Sequence, residues 1–498
     1  MNLSPATRLL LILLLLTLWR LATASHVGME LYADEAQYWT WSLAPDWGYY
    51  SKPPMVAWAI WLGSHLFGEG ELGVRAVSVA VYPVTAWLLF LLARRLFAGD
   101  PRAERIAFWS GLAYATLPMV SMGAWLITTD AFLILFWSLS LLALHVALSQ
   151  GRWRDWLVLG LAVGLGLLSK YSMVFFGLGV LAYLAVSAKH RRWLRDPRPY
   201  AAMAVALVVL APNIAWNAAH QFVSYQHTAE ISKLDESLFN PDAMLAFFGA
   251  QFGVFGPITF AVLLGLALRF RGWFADDRLR FLAAFSLVPL AAFIAMSLLS
   301  RAFANWGAFA YAAGAVLVAA TLVRGERMRL LGLALGLNLA IAAGLYHWHD
   351  LRHAAGIEAS YKFDPYRRVT GYRALGGEVS KRLAAEPGTR LLVDDRKLYA
   401  LMRYYARPES DDARYFNPSR RLNNHYALTA DLHDQPQGTY LLLSDADLSG
   451  ELPRWFDHIE PLPPIRLQLY PDHAPTYHLW RVSGYRAPTS SSPVPETR

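Results

Sequence analysis

The chain has 498 residues, of which 55% are apolar and only 16% are charged. Soluble domains carry about 25% charged residues, so this balance argues against a soluble cytosolic enzyme. The 19 Trp, 24 Tyr and 25 Phe suit many membrane spans with aromatic interfaces, and the same composition excludes disorder and a coiled coil. The absence of cysteine excludes disulfides, thiolate zinc sites and iron–sulfur clusters. The net charge of +8 does not indicate nucleic-acid binding here, because the position of the positive residues matters more than their sum.

Long apolar stretches dominate residues 1–347. A spanning helix needs about 20 mostly apolar residues, and this requirement predicts eleven spans and a polytopic α-helical membrane domain. The first stretch also resembles a cleaved signal peptide, but its length favours a retained helix. The fifth and sixth stretches are short and could be tilted, broken or re-entrant. The eleven stretches are 7–25, 72–93, 106–124, 130–149, 156–169, 172–187, 199–217, 243–268, 281–299, 306–323 and 330–347.

Positive residues are distributed unevenly between the connections. With the N-terminus in the cytoplasm, five connections on that side hold 18 Lys and Arg residues. The opposite connections and the adjoining span ends hold only Arg20, Lys52, Arg75, Lys170, Lys233 and Arg301. The positive-inside rule therefore predicts a cytoplasmic N-terminus and an outside C-terminus.

The first outside loop, residues 26–70, contains two short amphipathic aromatic stretches. We expect 33–43 and 55–67 to be helices that lie in the membrane surface. Asp34 and Glu35 stand where the chain leaves the bilayer, and acids there are costly unless they are solvated, paired or used. Asp34 could cap the first of these helices, could act in catalysis, or could do both.

Further candidate residues lie in the outside loops. Lys52 precedes Pro53-Pro54, and it could either snorkel to the lipid headgroups or bind a phosphate. Asp130 opens the fourth span, where it could be an N-cap or a functional acid. Lys170 and Arg301 would form an anion site with Lys52 if the three converge, and would be interface anchors if they are scattered. We expect the neighbouring Tyr50, Tyr171 and Asn305 to contact substrate.

The last part of the chain has a different composition. Short β-like runs at 389–394, 438–444, 465–470 and 476–482 alternate with helical runs at 372–383 and 396–405. This pattern predicts a small α/β domain over 348–486, on the outer face. The Pro-, Ser- and Thr-rich tail 487–498 is predicted to be disordered.

Motifs for other chemistries are weak or absent. His220, His227 and Glu230 could serve a metal, although their spacing matches no established motif. The sequence contains no P-loop, no G-x-S-x-G and no Rossmann fingerprint in its structural setting. Nucleotide-driven transport therefore has no support.

Several segments together resemble the membrane glycosyltransferases of the GT-C superfamily. The similar branch contains protein O-mannosyltransferases and the bacterial aminoarabinose and galacturonic acid transferases of lipid A. The segments that carry the resemblance are YADEAQYWTWSLAPDWGYYSKPPMVAW (32–58), GELGVRAVS (70–78), WLITTDAFLILFW (125–137), LSKYS (168–172), PNIAWNAAHQFVSY (212–225), RAFANW (301–306), DDRKLYALMRYY (394–405) and NNHYAL (423–428).

The resemblance implies a GT-C fold in a bacterial inner membrane, with the active site and the C-terminal domain facing the periplasm. It implies an inverting enzyme that takes a sugar from a polyprenyl-phosphate donor and transfers it to lipid A or another envelope glycan. It matches the catalytic acids to Asp34 and Asp130, with Glu35 adjacent, and the donor-phosphate lysine to Lys52. It leaves the need for a divalent metal open, and we expect a monomer.

The charges of the reaction suggest roles for these residues. A departing polyprenyl phosphate needs cations, which Lys52, aided by Arg301 or Lys170, would supply. A sugar hydroxyl acceptor needs a base, for which Asp34 is the candidate, whereas a phosphate acceptor is already ionised and would leave Asp34 a positioning role. The alternatives are a protein O-glycosyltransferase, a transporter or flippase, and a non-catalytic membrane subunit. A transporter would place its ionisable residues near mid-bilayer on broken helices, not in outside loops.

Overall fold

The computed structural model describes residues 3–232 and 239–486. Lys233 and the predicted disordered tail 487–498 lie outside the described residues. The chain divides into two compact units, one of residues 1–26 and 46–348 and the other of residues 27–45 and 349–498. The first-loop segment 27–45 thus groups with the C-terminal residues, whereas the sequence analysis had assigned it to the membrane domain 1–347.

The helices are numbered in chain order. The first eleven are α1 Pro5–Val27, α2 Ala33–Ser42, α3 Met55–Phe67, α4 Glu71–Leu96, α5 Ala103–Ala115, α6 Pro118–Gly123, α7 Thr129–Gln150, α8 Trp153–Leu167, α9 Phe175–Val186, α10 Pro197–Ala219 and α11 Val223–Ser232. The others are α12 Pro241–Val254, α13 Pro257–Leu268, α14 Phe270–Phe274, α15 Asp277–Leu299, α16 Ala310–Arg324, α17 Met328–Tyr346, α18 Trp348–Ala354, α19 Tyr372–Ala384, α20 Arg396–Tyr405 and α21 Tyr426–Thr429.

Each predicted apolar stretch is helical in the structure, but some of the stretches form short or interrupted helices instead of one long helix. Within the described residues, six helices have the length and apolar character to cross a bilayer, namely α1, α4, α7, α10, α15 and α17. The stretch 106–124 is divided between α5 and α6, and those at 156–169, 172–187 and 306–323 form shorter helices. The count of eleven spans therefore stays a prediction.

The stretch 243–268 is not the continuous helix that its composition suggested. It forms α12 and α13, which meet at an angle of 120°. Gly256, at φ +90°, stands at the break, and Pro257 starts the next helix. A positive φ followed by a proline cannot continue an α-helix, so the chain turns here. The broken or re-entrant segment is thus 241–268, whereas the sequence had suggested 156–187.

Small residues allow α8 and α10 to pack closely. A Cβ added at Gly164 would lie 2.6 Å from Cβ of Val209, and one at Gly160 would collide with the carbonyl of Ala202. This Gly-xxx-Gly spacing puts both glycines on one face of α8, the arrangement that membrane helices use for close approach.

The second unit contains a five-stranded mixed sheet. Its strands are β1 Thr389–Val393, β2 Arg414–Tyr415, β3 Thr439–Ser444, β4 Phe456–Arg466 and β5 Thr476–Tyr485, in the order β2-β1-β3-β5-β4. β1 is parallel to β2 and β3, and β5 is antiparallel to β3 and β4. Leu392, Tyr440, Leu442 and Trp480 lie in its buried core. The second unit thus combines this sheet with helices.

One predicted strand was misplaced. The sequence placed it at 465–470, but β4 covers 456–466. This segment contains three prolines, which are more typical of a loop than of a strand. Proline lacks the N–H for a ladder bond and is tolerated on edge strands and at bulges. β4 is an edge strand, and its pairing with β5 is irregular between Leu462 and Ile465.

Helix α2 has a different environment from the predicted one. Most of its side chains are buried within the second unit, where it packs against α20. The Trp39 and Tyr404 rings meet edge to face at 5.0 Å, and the guanidinium of Arg407 lies 4.5 Å from the Trp39 ring centre. Tyr405 Oη accepts a hydrogen bond from the Leu31 backbone N–H at 2.6 Å. The aromatic face of α2 is thus used in packing against protein.

Candidate active site

Three predicted residues from different loops meet at the start of α7. Asp130 lies in the first turn of this helix, and its Oδ1 accepts from Lys170 Nζ at 2.7 Å. Its Oδ2 accepts from Asn305 Nδ2 at 2.8 Å. The N-cap position belongs to Thr128, so capping does not explain Asp130. Both carboxylate oxygens instead accept from side chains of other connections between helices.

The charged side chains of this cluster are largely shielded from water. The Lys170 and Asp130 side chains are only 17% and 15% exposed. Ionised groups so far from water must be paired, because desolvation penalises an isolated charge. Lys170 was predicted to bind the donor phosphate, but here its charge is compensated by Asp130. It is therefore not a spare cation in this arrangement.

The turn that carries Lys52 lies beside the loop of Lys170. The Tyr49 N–H donates to the Lys52 carbonyl at 3.1 Å, which closes the turn. The Met55 N–H donates to the Leu168 carbonyl at 3.0 Å, which joins the start of α3 to the end of α8. Lys52, half-buried, is three residues before this contact and Lys170 is two residues after it. The segment before α3 and the segment after α8 are thus joined near both lysines.

Helix α10 holds the same turn through residues that sequence reasoning had not singled out. Trp216 Nε1 donates to Asp46 Oδ2 at 2.6 Å, and Asn213 Nδ2 donates to the Trp47 carbonyl at 2.7 Å. A Cβ on Gly48 would lie 2.5 Å from the Trp216 ring, so only glycine fits at this approach. The signal that could have found them is the segment 212–225, which carried part of the resemblance but received no role.

The predicted substrate-binding tyrosines are mainly packed against protein. The Tyr171 hydroxyl donates to Asn213 Oδ1 at 3.1 Å, and its ring lies 4.9 Å from that of Tyr225. The Tyr50 side chain is buried, with its ring 5.1 Å from the His227 ring. Burial, and then the carboxylate of Glu230, raise the pKa of Tyr50, so its hydroxyl stays neutral.

Arg301 does not join the Asp130 cluster. Its Nε donates to the Ile231 carbonyl at 3.1 Å, near the end of α11, and its guanidinium lies over the Phe303 ring at 5.4 Å. It therefore has no carboxylate partner among the described residues. Of the predicted phosphate-binding cations, Lys170 pairs with Asp130, whereas Arg301 bonds to the Ile231 carbonyl.

The suggested metal ligands do not come together. Among the residues that the structure describes, no three His, Asp or Glu side chains are placed to hold a metal ion. His220 stacks on Trp216 at 4.1 Å, with Nδ1 2.8 Å from the Trp216 carbonyl oxygen, whereas His227 packs on Tyr50. The geometry therefore gives no support to a site formed by His220, His227 and Glu230.

The two acids of the first loop have different surroundings in the second unit. Helix α2 begins at Ala33 with Tyr32 as N-cap, so of the alternatives for Asp34 the capping role does not hold. Glu35 performs the capping contact, since its Oε2 accepts from the Tyr32 backbone N–H at 2.9 Å. Glu35 is 1% exposed. A buried carboxylate bonded to its own helix terminus is a structural group.

Asp34 is the more accessible acid. Its side chain is 46% exposed, and its Oδ1 lies 3.4 Å from Arg396 Nη1, at the start of α20. The same Arg396 nitrogen also donates to Gln37 Oε1, one turn further along α2. This half-exposed carboxylate is accessible to a hydroxyl group, whereas Glu35 is buried.

The helical unit and its paired loop residues define a polytopic membrane protein with a separate α/β unit. The family described as dolichyl-phosphate-mannose-protein mannosyltransferase matches residues 51–216. Lipid A galacturonosyltransferase RgtD of Rhizobium johnstonii is 34% identical over 447 residues, which cover 88% of this chain and 90% of that protein. An undecaprenyl phosphate-alpha-4-amino-4-deoxy-L-arabinose arabinosyl transferase of Pseudomonas aeruginosa is 34% identical over 220 residues, 41% of this chain and 39% of that one.

A solved structure shows the same fold. The crystal structure of ArnT from Cupriavidus metallidurans bound to undecaprenyl phosphate matches with a TM-score of 0.65 at 15% identity, over 95% of this chain and 97% of that one. The apo form of the same protein matches with a TM-score of 0.66. The chain belongs to the GT-C superfamily of membrane glycosyltransferases, in the branch of the lipid A galacturonosyl and aminoarabinosyl transferases.

Proposed function

We propose that this protein is an inverting glycosyltransferase that moves a sugar from a polyprenyl-phosphate donor to lipid A or a related envelope glycan. Its relative over nine-tenths of the chain is named for transfer to lipid A. The partial relatives are named for an undecaprenyl-phosphate sugar donor. The structural observation that carries the proposal is the meeting of Asp130, Lys170 and Asn305 beside the Lys52 turn.

The donor phosphate sets the first chemical requirement. Breaking the bond between the sugar and the phosphate leaves the electron pair on a phosphate oxygen, where negative charge grows. Preorganised cations stabilise such charge in the transition state. We assign this role mainly to Lys52, the position that matches the donor-phosphate lysine of similar transferases, with Arg301 as the second cation. The Lys170–Asp130–Asn305 cluster fixes the loops that carry the site.

The acceptor sets the second requirement. A sugar hydroxyl must lose its proton as it attacks the anomeric carbon, and a carboxylate within reach can take that proton. Of the adjacent acids Asp34 and Glu35, Asp34 is the one that helix capping does not occupy, so it is the proposed base. With a phosphate acceptor, the nucleophile is already ionised, and Asp34 would orient it instead.

The proposed topology has eleven spans, a cytoplasmic N-terminus and a periplasmic C-terminus. Reporter fusions after residues 98 and 190 should read inside, and a fusion after 350 should read outside. The bend between α12 and α13 makes a fusion after 275 informative, because it reads inside only if the pair crosses the bilayer once. A cytoplasmic signal at 350 would overturn this topology.

Mass spectrometry of lipid A from cells with and without the gene tests the function. We expect one sugar substituent to disappear from lipid A without the gene and to return with the wild-type gene. The family match over residues 51–216 carries a protein-mannosyltransferase description, so glycoproteins should be analysed in the same cells. Loss of a glycan from proteins with unchanged lipid A would favour that second candidate and overturn the lipid A acceptor.

A further inference from the structure

An apolar groove runs along the helical unit between α8, α9 and α10. Its volume is about 410 Å³. The lining includes Val163 of α8, Val180 and Leu184 of α9, and Met203 and Leu207 of α10. Such a surface, in helices of a membrane protein, suits hydrocarbon chains.

A polar cavity of about 430 Å³ adjoins one end of this groove. It lies where α7 ends and α10 begins, and Arg192, Arg195 and Arg198 contribute to its lining. Trp193 lines both cavities, so the apolar groove and the polar cavity are neighbours. Trp193 is only 4% exposed, and its indole N–H has no hydrogen-bond acceptor among the described residues.

The polar cavity is lined by more positive than negative side chains. Arg198 pairs with Asp196 at 3.3 Å and donates to the Gly151 carbonyl. Arg192 and Arg195 are exposed and have no acidic partner in the described part of the chain. Two uncompensated guanidinium groups therefore stand at the end of an apolar groove. Guanidinium groups bind phosphate oxygens through charge-assisted hydrogen bonds.

This cavity is remote from the candidate active site within the same unit. Asp130 is in the first turn of α7, whereas the cavity is lined by Leu148–Gly151 at the other end of that helix. Twenty residues of α-helix extend about 30 Å, roughly the thickness of the hydrocarbon core. A lipid phosphate among these arginines is therefore on the opposite face of the membrane from Asp130 and Lys170.

We propose that this groove and cavity together bind an anionic glycerophospholipid of the bilayer. Its acyl chains lie between α8, α9 and α10, and its phosphate lies among Arg192, Arg195 and Arg198. Basic pockets between spanning helices recognise anionic headgroups in this manner. Trp153, Trp156 and Tyr200 surround the same end of the groove, where interfacial aromatic residues are expected. The site is separate from donor binding, so its test does not depend on the proposed function.

Native mass spectrometry of the purified full-length protein in detergent tests this site, with phosphatidylglycerol and phosphatidylethanolamine as probes. The first variant is Arg192→Gln/Arg195→Gln, and its control is Arg327→Gln/Arg329→Gln, which removes two exposed arginines elsewhere. The second variant is Gly177→Phe, which fills the groove where an added Cβ meets no atom within 4 Å. Its control is Gly336→Phe, at a glycine with equally open surroundings on α17.

We expect wild-type protein to retain phosphatidylglycerol in preference to phosphatidylethanolamine. Each basic residue near an anionic lipid is worth about a five-fold change in affinity, so the Arg192/Arg195 variant should weaken phosphatidylglycerol binding by roughly 5- to 30-fold. Gly177→Phe should reduce binding of both lipids, and both controls should match wild type. An unchanged preference in the arginine variant, an equal loss in its control, or binding that Gly177→Phe leaves intact would overturn the proposal. A groove that takes only added undecaprenyl phosphate, independently of Arg192 and Arg195, would also overturn it.

Discussion

Lys170 Nζ lies 2.7 Å from Asp130 Oδ1, and both side chains are largely buried. Each was a candidate for direct chemistry, but together they form an ion pair between the start of α7 and the segment after α8. Asn305 completes the contact from a third connection. The pair therefore joins the segments that carry these residues.

The Lys170–Asp130 pair can be tested by a double-mutant cycle. Asp130→Asn and Lys170→Gln should each lower the free energy of unfolding, because each leaves a partly buried charge without its partner. The double variant should be less destabilised than the sum of the two, with a coupling of about 1–3 kcal/mol. Chemical denaturation of the four proteins in mixed micelles measures this coupling. Additive effects would show that the contact contributes nothing of its own.

Asp34 and Glu35 should respond differently to loss of charge. Asp34→Asn should leave folding intact and reduce turnover by about 10²- to 10⁴-fold if Asp34 is the base. Glu35→Gln keeps a side-chain acceptor for the Tyr32 N–H but loses its charge, so it should lower stability more than turnover per folded molecule. Turnover, protein abundance and donor binding must be measured for both variants. Unchanged turnover in Asp34→Asn would remove it from catalysis.

We expect enzyme activity to depend on both the positive charge and the shape of the Lys52 side chain. Lys52→Ala should impair donor use more than Lys52→Arg does, because positive charge stabilises both the bound phosphate and the leaving group. Lys52→Arg should still be less active than wild type, since a planar guanidinium differs from a compact ammonium. Initial rates at varied donor concentration give the result. Wild-type rates in correctly inserted Lys52→Ala protein would exclude Lys52 from the site.

Asp394 should make the stability of the α/β unit depend on pH. This residue follows β1; burial raises the pKa of Asp394 to about 6, although Ser444 Oγ donates to its Oδ2 at 2.9 Å. An unfolded aspartate has a pKa of about 3.9, so folding favours the protonated form, and stability is lost as the pH rises from about 4 to about 6.

Asp394→Asn removes that ionisation and keeps an acceptor for Ser444. It should therefore raise the free energy of unfolding above pH 6, on the order of 1–3 kcal/mol, and change it little below pH 4. The difference between variant and wild type in unfolding midpoint, measured at pH 4 and pH 7.5, checks this. A midpoint difference that does not change with pH would contradict the buried-carboxyl explanation.

The sequence alone was sufficient to predict the helices and strands that have a strong local pattern. Met55–Phe67 and Arg396–Tyr405 match the predicted helices residue for residue, and β1 and β3 lie within one residue of their predicted limits. Hydrophobic periodicity and β-propensity are local properties, so they can be read along the chain. The same local reasoning selected Asp130, Lys170 and Asn305 as candidates, because polar residues at span ends need an explanation.

Tertiary structure alone decided which of these residues meet and what each does. No local pattern specifies that Lys170 pairs with Asp130, that Trp216 holds Asp46, or that α2 packs on α20. The sequence left Asp34 and Glu35 as similar neighbours, and only the start of α2 at Ala33 assigns the cap to Glu35. The physical reason is that pairing between distant segments depends on how the helices pack, and the free energy of that packing belongs to the whole unit rather than to any one segment.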